Sequence, residues 1–532
     1  MKIRRYKHWG WGFEDQQPPE AQLLSQAQAI RGHLGFGAEE LESPVAIEQV
    51  RLSEPRVQQP RALGALCSSD DHARASHAWG KSYCDVVRAF RGHFEHPPDF
   101  VANPRTESDL EQLLEWCSAE RVAAIPYGGG TSVVGGVRPQ VDPSYNGAIS
   151  IDMRHIDRVL EVDPISRSAR IQAGAAGPLL EAQLAEHGLT LRHFPQSFEF
   201  STLGGWIATR AAGHFATLWT HIEDVVESVR AITPAGIWAS RRLPGSGAGP
   251  SPDRMLAGSE GTLGVITEAW VRVLPRPGQR RSAGVLFDSF EQGAACVRAI
   301  SQSGLHPANC RLIDASEARL TMAGDGSSAL LVLGFESAEH PVDEAMQAAF
   351  ELSREHDGRV ESSRDGGGPS DAVGSWRQAF LGAPFLRDLF VAMGVLSETF
   401  ETAITWERFP GFHERVMDAA REAIAQVCPG GGQVSARFTH IYPDGPAPYY
   451  TVIAPARRGE EVEQWWAIKR AVSEAIIDAG ASITHHHAVG RDHLPWYEHQ
   501  RPQPFALALA GAKAAVDPAT IMNPGVLLGR TP

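Results

Sequence analysis

The sequence predicts a mixed α+β fold with two main domains, and three observations support this prediction. Beyond residue 92, short apolar runs typical of buried strands alternate with stretches of helical periodicity. A glycine-rich loop directly follows one of these runs. The 532 residues also suffice for more than one hydrophobic core. We expect an N-terminal extension (1–92), a first domain (93–275), a second domain (276–484) and a C-terminal segment (485–532).

The elements of the extension and the first domain are justified in chain order. "PEAQLLSQAQAIRGHLG" predicts a helix, and we expect the extension to be mainly helical. "TESDLEQLLEWCSAE" predicts the next helix, because Thr106 can cap it, acids follow in the first turn and apolar residues recur at helical spacing. "VAAIPY" is a buried strand that leads into glycines. Further strands are predicted for "DFVANP", "GAISIDM", "VLEVDPISRSARIQAG", "VESVRAITPAG" and "LGVITEAWVRVLP", with a helix at "GPLLEAQLAEHGL".

The second domain begins after "RPGQRRSAG", which we interpret as a hinge. Its predicted strands are "AGVLF", "ALLVLGF" and "YYTVIAP". Long helices are predicted for "EQGAACVRAISQSG" and "EEVEQWWAIKRAVSEAIIDAG". "SSRDGGGPSD" is predicted to be a surface loop because glycine, serine and proline dominate it.

Composition and charge exclude several classes of protein. The net charge of −14 argues against a sequence-independent grip on nucleic acid phosphates. Six cysteines are spread singly, without a CxxC pair, which indicates reduced thiols. The N-terminus lacks the apolar region of a secretory signal, and no stretch approaches the ~20 apolar residues that span a bilayer. We therefore expect a cytoplasmic protein.

The loop "IPYGGGTSVVGGV", from Ile125 to Val137, follows a predicted strand. Consecutive glycines let successive backbone N–H groups point into one concavity, which can bind a pyrophosphate. The spacing matches neither GxGxxG nor GxxxxGK[ST]. Taken alone, the loop could equally be a tight surface turn.

Two further glycine segments follow in order, "FPQSFEFSTLGGWIATRAAG" and "MLAGSEGTLGVITEAWVRV". Together the three resemble the FAD-binding domain of the vanillyl-alcohol-oxidase/PCMH flavoprotein superfamily over residues 93–275. The resemblance implies a PCMH-type FAD domain of two subdomains, followed by a cap domain with an antiparallel sheet and helices. It implies that FAD is bound by Pro126, Tyr127, Gly128, Gly129, Gly130, Thr131, Ser132, Pro195, Gln196, Ser197, Ser201, Thr202, Thr209, Arg210, Ala211, Ala212, Glu260, Gly261, Thr262, Leu263, Gly264, Val265 and Ile266. Many relatives attach the flavin to a histidine of the first loop. That loop has no histidine here, so we expect FAD to be bound non-covalently.

Five short motifs outside the FAD domain narrow the family: "KHWGWG", "HAWGKSYCDVVRAFRG", "CRLID", "PFLRD" and "THHHAVG". In this order they resemble the alkyldihydroxyacetonephosphate synthase family, whose enzymes make ether lipids, over nearly the whole chain. The reaction that the resemblance implies exchanges the acyl group of acyl-dihydroxyacetone phosphate for a fatty alcohol and forms an ether bond. It passes through an adduct at the flavin N5 without net redox change.

The resemblance also implies site residues. Arg311 and Arg387 match the family's substrate-binding arginines, although each could instead pair with an acid nearby, Asp314 or Asp388. Tyr449 matches the catalytic tyrosine, and a slip of one residue would exchange it for Tyr450. His485, His486 and His487 are taken as a catalytic block. In a strand His485 and His487 would share one face, but a zinc site needs a further ligand that the sequence does not show, so we expect no metal. A structural turn is the other interpretation, whereas proton handling fits a histidine pKa near neutrality.

Three features depart from the family pattern. Ala488 replaces the family's first glycine after the triplet, "VDPATIMNPGVLLG" resembles the ending of glycolate-oxidase and D-lactate-dehydrogenase flavoproteins, and "GRTP" is not a peroxisomal signal. The last feature suggests a bacterial relative. The alternative function is therefore an FAD-dependent D-2-hydroxyacid dehydrogenase or oxidase, and a third reading is a flavin-binding protein whose site has decayed. We expect a lipid substrate, peripheral membrane contact and a homodimer.

Overall fold

The elements of the fold come from a computed structural model, which describes residues 4–361 and 372–529. The predicted loop "SSRDGGGPSD" and most of "GRTP" lie outside these ranges. The helices are α1 Glu20–Leu34, α2 Asp71–Ser76, α3 Tyr83–Phe90, α4 Glu107–Glu120, α5 Gly177–Ala185, α6 Leu203–Thr209, α7 Pro252–Leu256, α8 Phe290–Gln302, α9 Ala315–Leu320, α10 Asp343–Glu355, α11 Ala372–Ala392, α12 Phe409–Val427, α13 Glu461–Asp478, α14 Leu494–Gln500 and α15 Gln503–Val516.

The strands are β1 Cys67–Ser68, β2 Val101–Ala102, β3 Val122–Tyr127, β4 Gly147–Asp152, β5 Val159–Asp163, β6 Ser168–Gln172, β7 Leu189–Thr190, β8 Val226–Thr233, β9 Gly236–Ala239, β10 Val265–Arg272, β11 Leu274–Pro275, β12 Gln279–Phe287, β13 Asn309–Ile313, β14 Ala329–Ser337, β15 Arg359–Val360, β16 Val395–Glu401, β17 Gln433–Tyr442 and β18 Gly445–Pro455. This mixture of helix and sheet confirms the predicted α+β class.

The first domain contains three sheets, with strand orders β1-β2-β4-β3, β5-β6-β10-β8-β9 and β11-β7. The edge strand β1 comes from the N-terminal extension. Helix α4 shows why the sequence folds as it does. Thr106 caps its first turn and accepts a hydrogen bond from the backbone N–H of Asp109 at 3.1 Å, as the capping pattern predicts. Leu110, Leu113 and Leu114 recur at helical spacing and are buried in a core beside β3 and β4.

The second domain is built on a seven-stranded antiparallel sheet with order β15-β12-β14-β13-β17-β18-β16. Apolar residues such as Phe438, Tyr450 and Val452 share one core with helices α8, α12 and α13, which cover one face of this sheet. The alternate residues of the same strands face the other way. The predicted hinge is partly wrong, because β12 starts at Gln279, where it pairs with Ser337 of β14.

The two ends of the chain return to these domains. In the extension, Lys7 and the backbone of Trp11 contact the buried carboxylate of Asp388 on α11; the Trp11 N–H donates at 3.0 Å. Near the other end, the backbone N–H of Ala124 on β3 donates to the carbonyl of Ile521 at 2.8 Å. Within the described ranges, no helix is both long and apolar enough to cross a membrane.

Candidate active site

A cavity of about 470 Å³ lies where four parts of the protein meet. These are the first domain, the seven-stranded sheet of the second domain (the cap sheet), α11 and α1. Its first-domain wall includes almost all the predicted cofactor contacts; only Arg210, Thr262 and Leu263 of that set are outside the lining. Arg210 instead pairs with Glu223, and Leu263 is part of a hydrophobic core. The other wall carries five of the six predicted catalytic and substrate residues: Arg311, Arg387, Tyr449, His486 and His487. His485 is outside the lining.

The glycine loop is packed so tightly at Gly129 and Gly130 that neither position has room for a side chain. A Cβ at Gly129 would lie 2.0 Å from the carbonyl oxygen of Phe200, and one at Gly130 would lie 1.9 Å from the Tyr127 hydroxyl oxygen. In the described part of the chain, the backbone N–H groups of Gly129, Gly130 and Thr131 have no acceptor. Three free donors at the cavity wall fit the pyrophosphate of a dinucleotide cofactor, because unpaired N–H groups bind anions well.

Glu260 joins this wall to the C-terminal segment. Its buried carboxylate accepts hydrogen bonds from the backbone N–H groups of Val489 at 2.9 Å and Gly490 at 2.8 Å. Burial raises the pKa of Glu260 to about 7, and the two N–H donors oppose this shift. The residues just after the histidine triplet are thereby fixed to the predicted cofactor-binding domain.

Strand register aligns the key side chains of the cap wall, which is the wall of the cavity formed by the cap sheet. Arg437 of β17 is opposite Tyr449 of β18, which in turn is opposite Glu401 of β16. The Arg437 guanidinium lies 3.7 Å from the centre of the Tyr449 ring. Tyr450 points to the opposite face, where its hydroxyl lies 3.3 Å from His413 Nδ1. Of the two tyrosines, only Tyr449 therefore lines the cavity.

Among the residues that the structure describes, three guanidinium groups line the cavity, and sequence reasoning found two of them. Arg311 donates to the carbonyl oxygen of His214 at 3.2 Å, and Arg387 donates to that of Lys81 at 2.6 Å. Arg437, the third, pairs with the buried carboxylate of Glu317. Burial lowers the pKa of Arg311 to about 10, and the charge of the nearby Arg437 contributes to this shift. Such a concentration of positive charge favours a dianionic ligand.

The acidic neighbours that the sequence offered as alternative partners are engaged elsewhere. Asp314 caps α9 and accepts from the backbone N–H groups of Glu317 and Ala436. Asp388 accepts from the Trp11 backbone and lies 3.5 Å from Lys7. Both carboxylates therefore have partners outside their own sequence motifs.

The histidine triplet is a bend held by one carboxylate, not a strand. Glu401 accepts hydrogen bonds from the backbone N–H groups of His485, His486 and His487 and from the Thr484 hydroxyl. Four donors on one buried carboxylate fix the backbone of the triplet strongly. The bend continues through Ala488, whose φ of 72° lies in the left-handed region that favours glycine. This explains physically why glycine suits the position in the family pattern.

The pKa values of the triplet depart from the neutral range that the sequence suggested. Burial lowers the pKa of His486 to about 3 and that of His487 to about 3. Burial also holds the pKa of His485 well below its usual value. The rings are therefore neutral at physiological pH, so they can accept protons but do not act as cations toward a phosphate.

One group of imidazoles has the spacing of metal ligands. Ring nitrogens of His440, His485 and His486 lie within 4.8 Å of one another. The Nδ1 atoms of His485 and His486 are 3.0 Å apart, a hydrogen-bond distance that engages both atoms with each other. The absence of a metal from the mechanism stays a prediction.

The chain matches two family models with flavin functions. Residues 98–240 match the model described as "FAD binding domain", and residues 276–527 match "FAD linked oxidases, C-terminal domain". These matches confirm FAD as the cofactor and agree with the free N–H donors of the glycine loop.

Similarity to individual proteins decides the family. Alkyldihydroxyacetonephosphate synthase from Caenorhabditis elegans is 31% identical, with 85% of this chain and 80% of the relative covered. The synthase from Dictyostelium discoideum is 30% identical, with 86% and 78% covered. The chain belongs to the alkyldihydroxyacetonephosphate synthase family. A solved synthase structure superposes with a TM-score of 0.82 at 26% identity, covering 97% of this chain and 98% of that one.

Sequence reasoning missed three residues of this site, namely Arg437, His440 and Glu401. Arg437 and Thr439 alternate in "QVSARFTHIY", which is a signal for one face of a strand. That pattern does not tell which strand is adjacent or which face meets the cofactor. Glu401 lies more than eighty positions before the triplet that it binds, and no local pattern connects the two.

We expect Gly129→Ala to abolish FAD binding in this synthase family member. The new methyl group would lie 2.0 Å from a backbone carbonyl oxygen, so the loop must shift and its N–H groups lose their arrangement. The ratio of flavin to protein absorbance of the purified variant measures the occupancy. Gly245→Ala is the matched control, because no atom lies within 4 Å of the added Cβ. Full FAD content in Gly129→Ala would contradict the role of the loop.

Proposed function

We propose that the protein is an FAD-dependent alkylglycerone-phosphate synthase, which replaces the acyl group of acyl-dihydroxyacetone phosphate by a fatty alcohol. The observation that carries this proposal is the division of one cavity into a cationic part and an apolar part. Arg311, Arg387 and Arg437 supply the cationic part beside the histidine triplet. A ligand that fits both parts has a phosphate at one end and hydrocarbon at the other.

The apolar part is formed mainly by α1 and α11. Ile30, Leu34, Leu386, Phe390 and Ile453 line it. Each methylene group of a chain that is buried there contributes about 0.8 kcal/mol. Such a wall would serve the long chains of both the acyl substrate and the alcohol, but it offers nothing to a small D-2-hydroxyacid. We therefore favour the synthase over the dehydrogenase.

The residues at the junction of the two parts can handle the protons of the exchange. When bound, FAD would supply a nucleophilic ring nitrogen. The exchange of one oxygen substituent for another requires such a nucleophile and involves no net electron transfer. The arginines hold the phosphate, and neutral His486 accepts a proton from the substrate carbon. Tyr449 retains its proton, because burial raises its pKa while Arg437 opposes the shift, and so it can donate to the departing carboxylate oxygen.

The proposal is tested with the FAD-loaded protein under anaerobic conditions. Acyl-dihydroxyacetone phosphate is added while the flavin absorbance is followed, then hexadecanol is added and the products are analysed by mass spectrometry. We expect the flavin absorbance to bleach with the ketone and to recover with the alcohol, with an alkyl ether and a free fatty acid formed. No ether, together with bleaching by D-lactate or glycolate, would replace the synthase with the dehydrogenase.

Two further expectations belong to this proposal. We propose peripheral contact with a lipid surface, because Met322 lines the cavity and is also 79% exposed, which places an apolar side chain at its mouth. Flotation with phosphatidylcholine vesicles tests this contact. The homodimer stays a prediction, which analytical ultracentrifugation tests.

A further inference from the structure

We propose that Tyr442, Thr220 and His221 form, together with His485, a directed hydrogen-bond chain that fixes the tautomer of His486. This hydrogen-bond chain leaves the Nε2 lone pair of His486 available to the cavity. Tyr442, Thr220 and His221 do not line the cavity, so they are positioning residues that act through the triplet. The inference rests on the proposed function only where it gives His486 the task of accepting a proton.

A backbone carbonyl group sets the direction of the hydrogen-bond chain at the end that is farthest from His486. His221 Nε2 lies 2.9 Å from the carbonyl oxygen of His485. A carbonyl oxygen only accepts, so the hydrogen of the His221 ring must be on Nε2. When the ring carries this single hydrogen, Nδ1 is an acceptor, and the Thr220 hydroxyl 3.2 Å away donates to it.

The next two links follow from this assignment. Because the Thr220 hydrogen is directed at His221, the Thr220 oxygen accepts from the Tyr442 hydroxyl at 2.9 Å. Burial raises the pKa of Tyr442, so the phenol retains its proton. Its oxygen in turn accepts from His485 Nε2 at 2.7 Å. Every donor is therefore directed away from the cavity.

The last link determines what His486 offers to a substrate. With its hydrogen on Nε2, neutral His485 presents a bare Nδ1, which accepts from His486 Nδ1 at 3.0 Å. The Glu401 carboxylate lies 3.3 Å from the same His486 Nδ1 and also favours hydrogen there. His486 Nε2 then carries a lone pair, and it has no hydrogen-bond partner in the described part of the chain. A general base needs this tautomer.

The reverse direction meets a repulsive contact. If Tyr442 donated to His485, then Thr220 would donate to Tyr442, and the single hydrogen of the His221 ring would have to be on Nδ1, toward Thr220. His221 Nε2 would then direct a lone pair at a carbonyl oxygen 2.9 Å away. The neighbouring His440 follows the same rule, because its Nε2 donates to the carbonyl of Gly213 at 3.0 Å and so its Nδ1 is bare.

Thr220→Val removes one hydroxyl group from the hydrogen-bond chain and leaves the residues that line the cavity unchanged. Tyr442 then loses its acceptor and can turn its hydrogen toward His485 Nε2, which reverses the tautomers of His485 and His486. We expect the ¹⁵N NMR spectrum of the histidine-labelled holoenzyme to show His486 with hydrogen on Nδ1 in the wild type and on Nε2 in Thr220→Val. The His486→Gln variant assigns its signals among the 21 histidines. We also expect kcat to fall about tenfold with little change in KM.

Thr220→Ser is the matched control, because it keeps the hydroxyl group and removes a methyl group. It should restore the wild-type ¹⁵N signals and most of kcat, whereas a role in packing alone would leave it impaired. A wild-type His486 with hydrogen on Nε2, or an unchanged tautomer in Thr220→Val, would overturn the inference. If the expected tautomers appeared but the wild-type enzyme formed no ether, the proposed function would fail while the hydrogen-bond chain would stand.

Discussion

His486→Ala is expected to retain FAD and to lose about 10² to 10⁴ in kcat, the usual contribution of a positioned base. The imidazole lines the cavity, and its pKa near 3 keeps it unprotonated over the whole physiological range, so that its lone pair is free. The backbone of the triplet depends on Glu401, so removal of this side chain should leave the bend in place. Steady-state kinetics with acyl-dihydroxyacetone phosphate and hexadecanol measure the loss.

The control for this variant is His499→Ala, which changes an exposed histidine on α14. It should keep wild-type kcat and FAD content. Imidazole added to the buffer provides a second check, because partial rescue of His486→Ala would show that the missing group transfers a proton. Full activity of His486→Ala would return the triplet to a structural role.

The local features of this protein were predictable from sequence because their causes are local. Thr106 caps α4 through a residue three positions later, and "VAAIPY" forms β3 as its apolar run predicts. The glycine loop was recognisable for the same reason, since the clash that excludes side chains at Gly129 arises from one fixed backbone arrangement. Motif order then supplied the family and its cofactor.

The cap wall could not be predicted because its cause is strand register. Arg437, Tyr449 and Glu401 come from three strands, and only the pairing of β16, β17 and β18 aligns them. A shift of one residue would replace Tyr449 by Tyr450 in the cavity, which is why the sequence left the two open. The pKa shifts of the triplet were equally inaccessible, since burial in an assembled site causes them.

The apolar end of the cavity shows the same limit at the level of whole elements. Helix α1 was predicted as part of an extension, with no function beyond that. Its residues Ile30 and Leu34 instead form a wall of the cavity together with α11. The packing follows from the anchoring of the extension, in which Lys7 and Trp11 contact Asp388 beside Arg387. The "KHWGWG" and "PFLRD" motifs are therefore parts of one contact.

Arg437→Met is expected to lower kcat/KM for acyl-dihydroxyacetone phosphate by about 10²-fold, with FAD binding retained. A hydrogen bond to a charged group contributes about 3 kcal/mol, which corresponds to this factor. Arg437 shares the cavity with Arg311 and Arg387, so the loss should appear mainly in KM. Arg387→Ala should likewise weaken substrate binding far more than FAD binding. Kinetics with the phosphorylated ketone, together with flavin content, measure both effects.

The single variant also leaves the buried carboxylate of Glu317 without its cationic partner, which by itself can destabilise the site. The double variant Arg437→Met/Glu317→Gln removes both charges and separates the two effects. If the guanidinium binds phosphate, the double variant regains thermal stability but not affinity for the ketone. If Arg437 serves only to neutralise Glu317, the double variant regains both. Recovery of affinity would therefore restrict phosphate binding to Arg311 and Arg387, the two arginines that the sequence motifs identified.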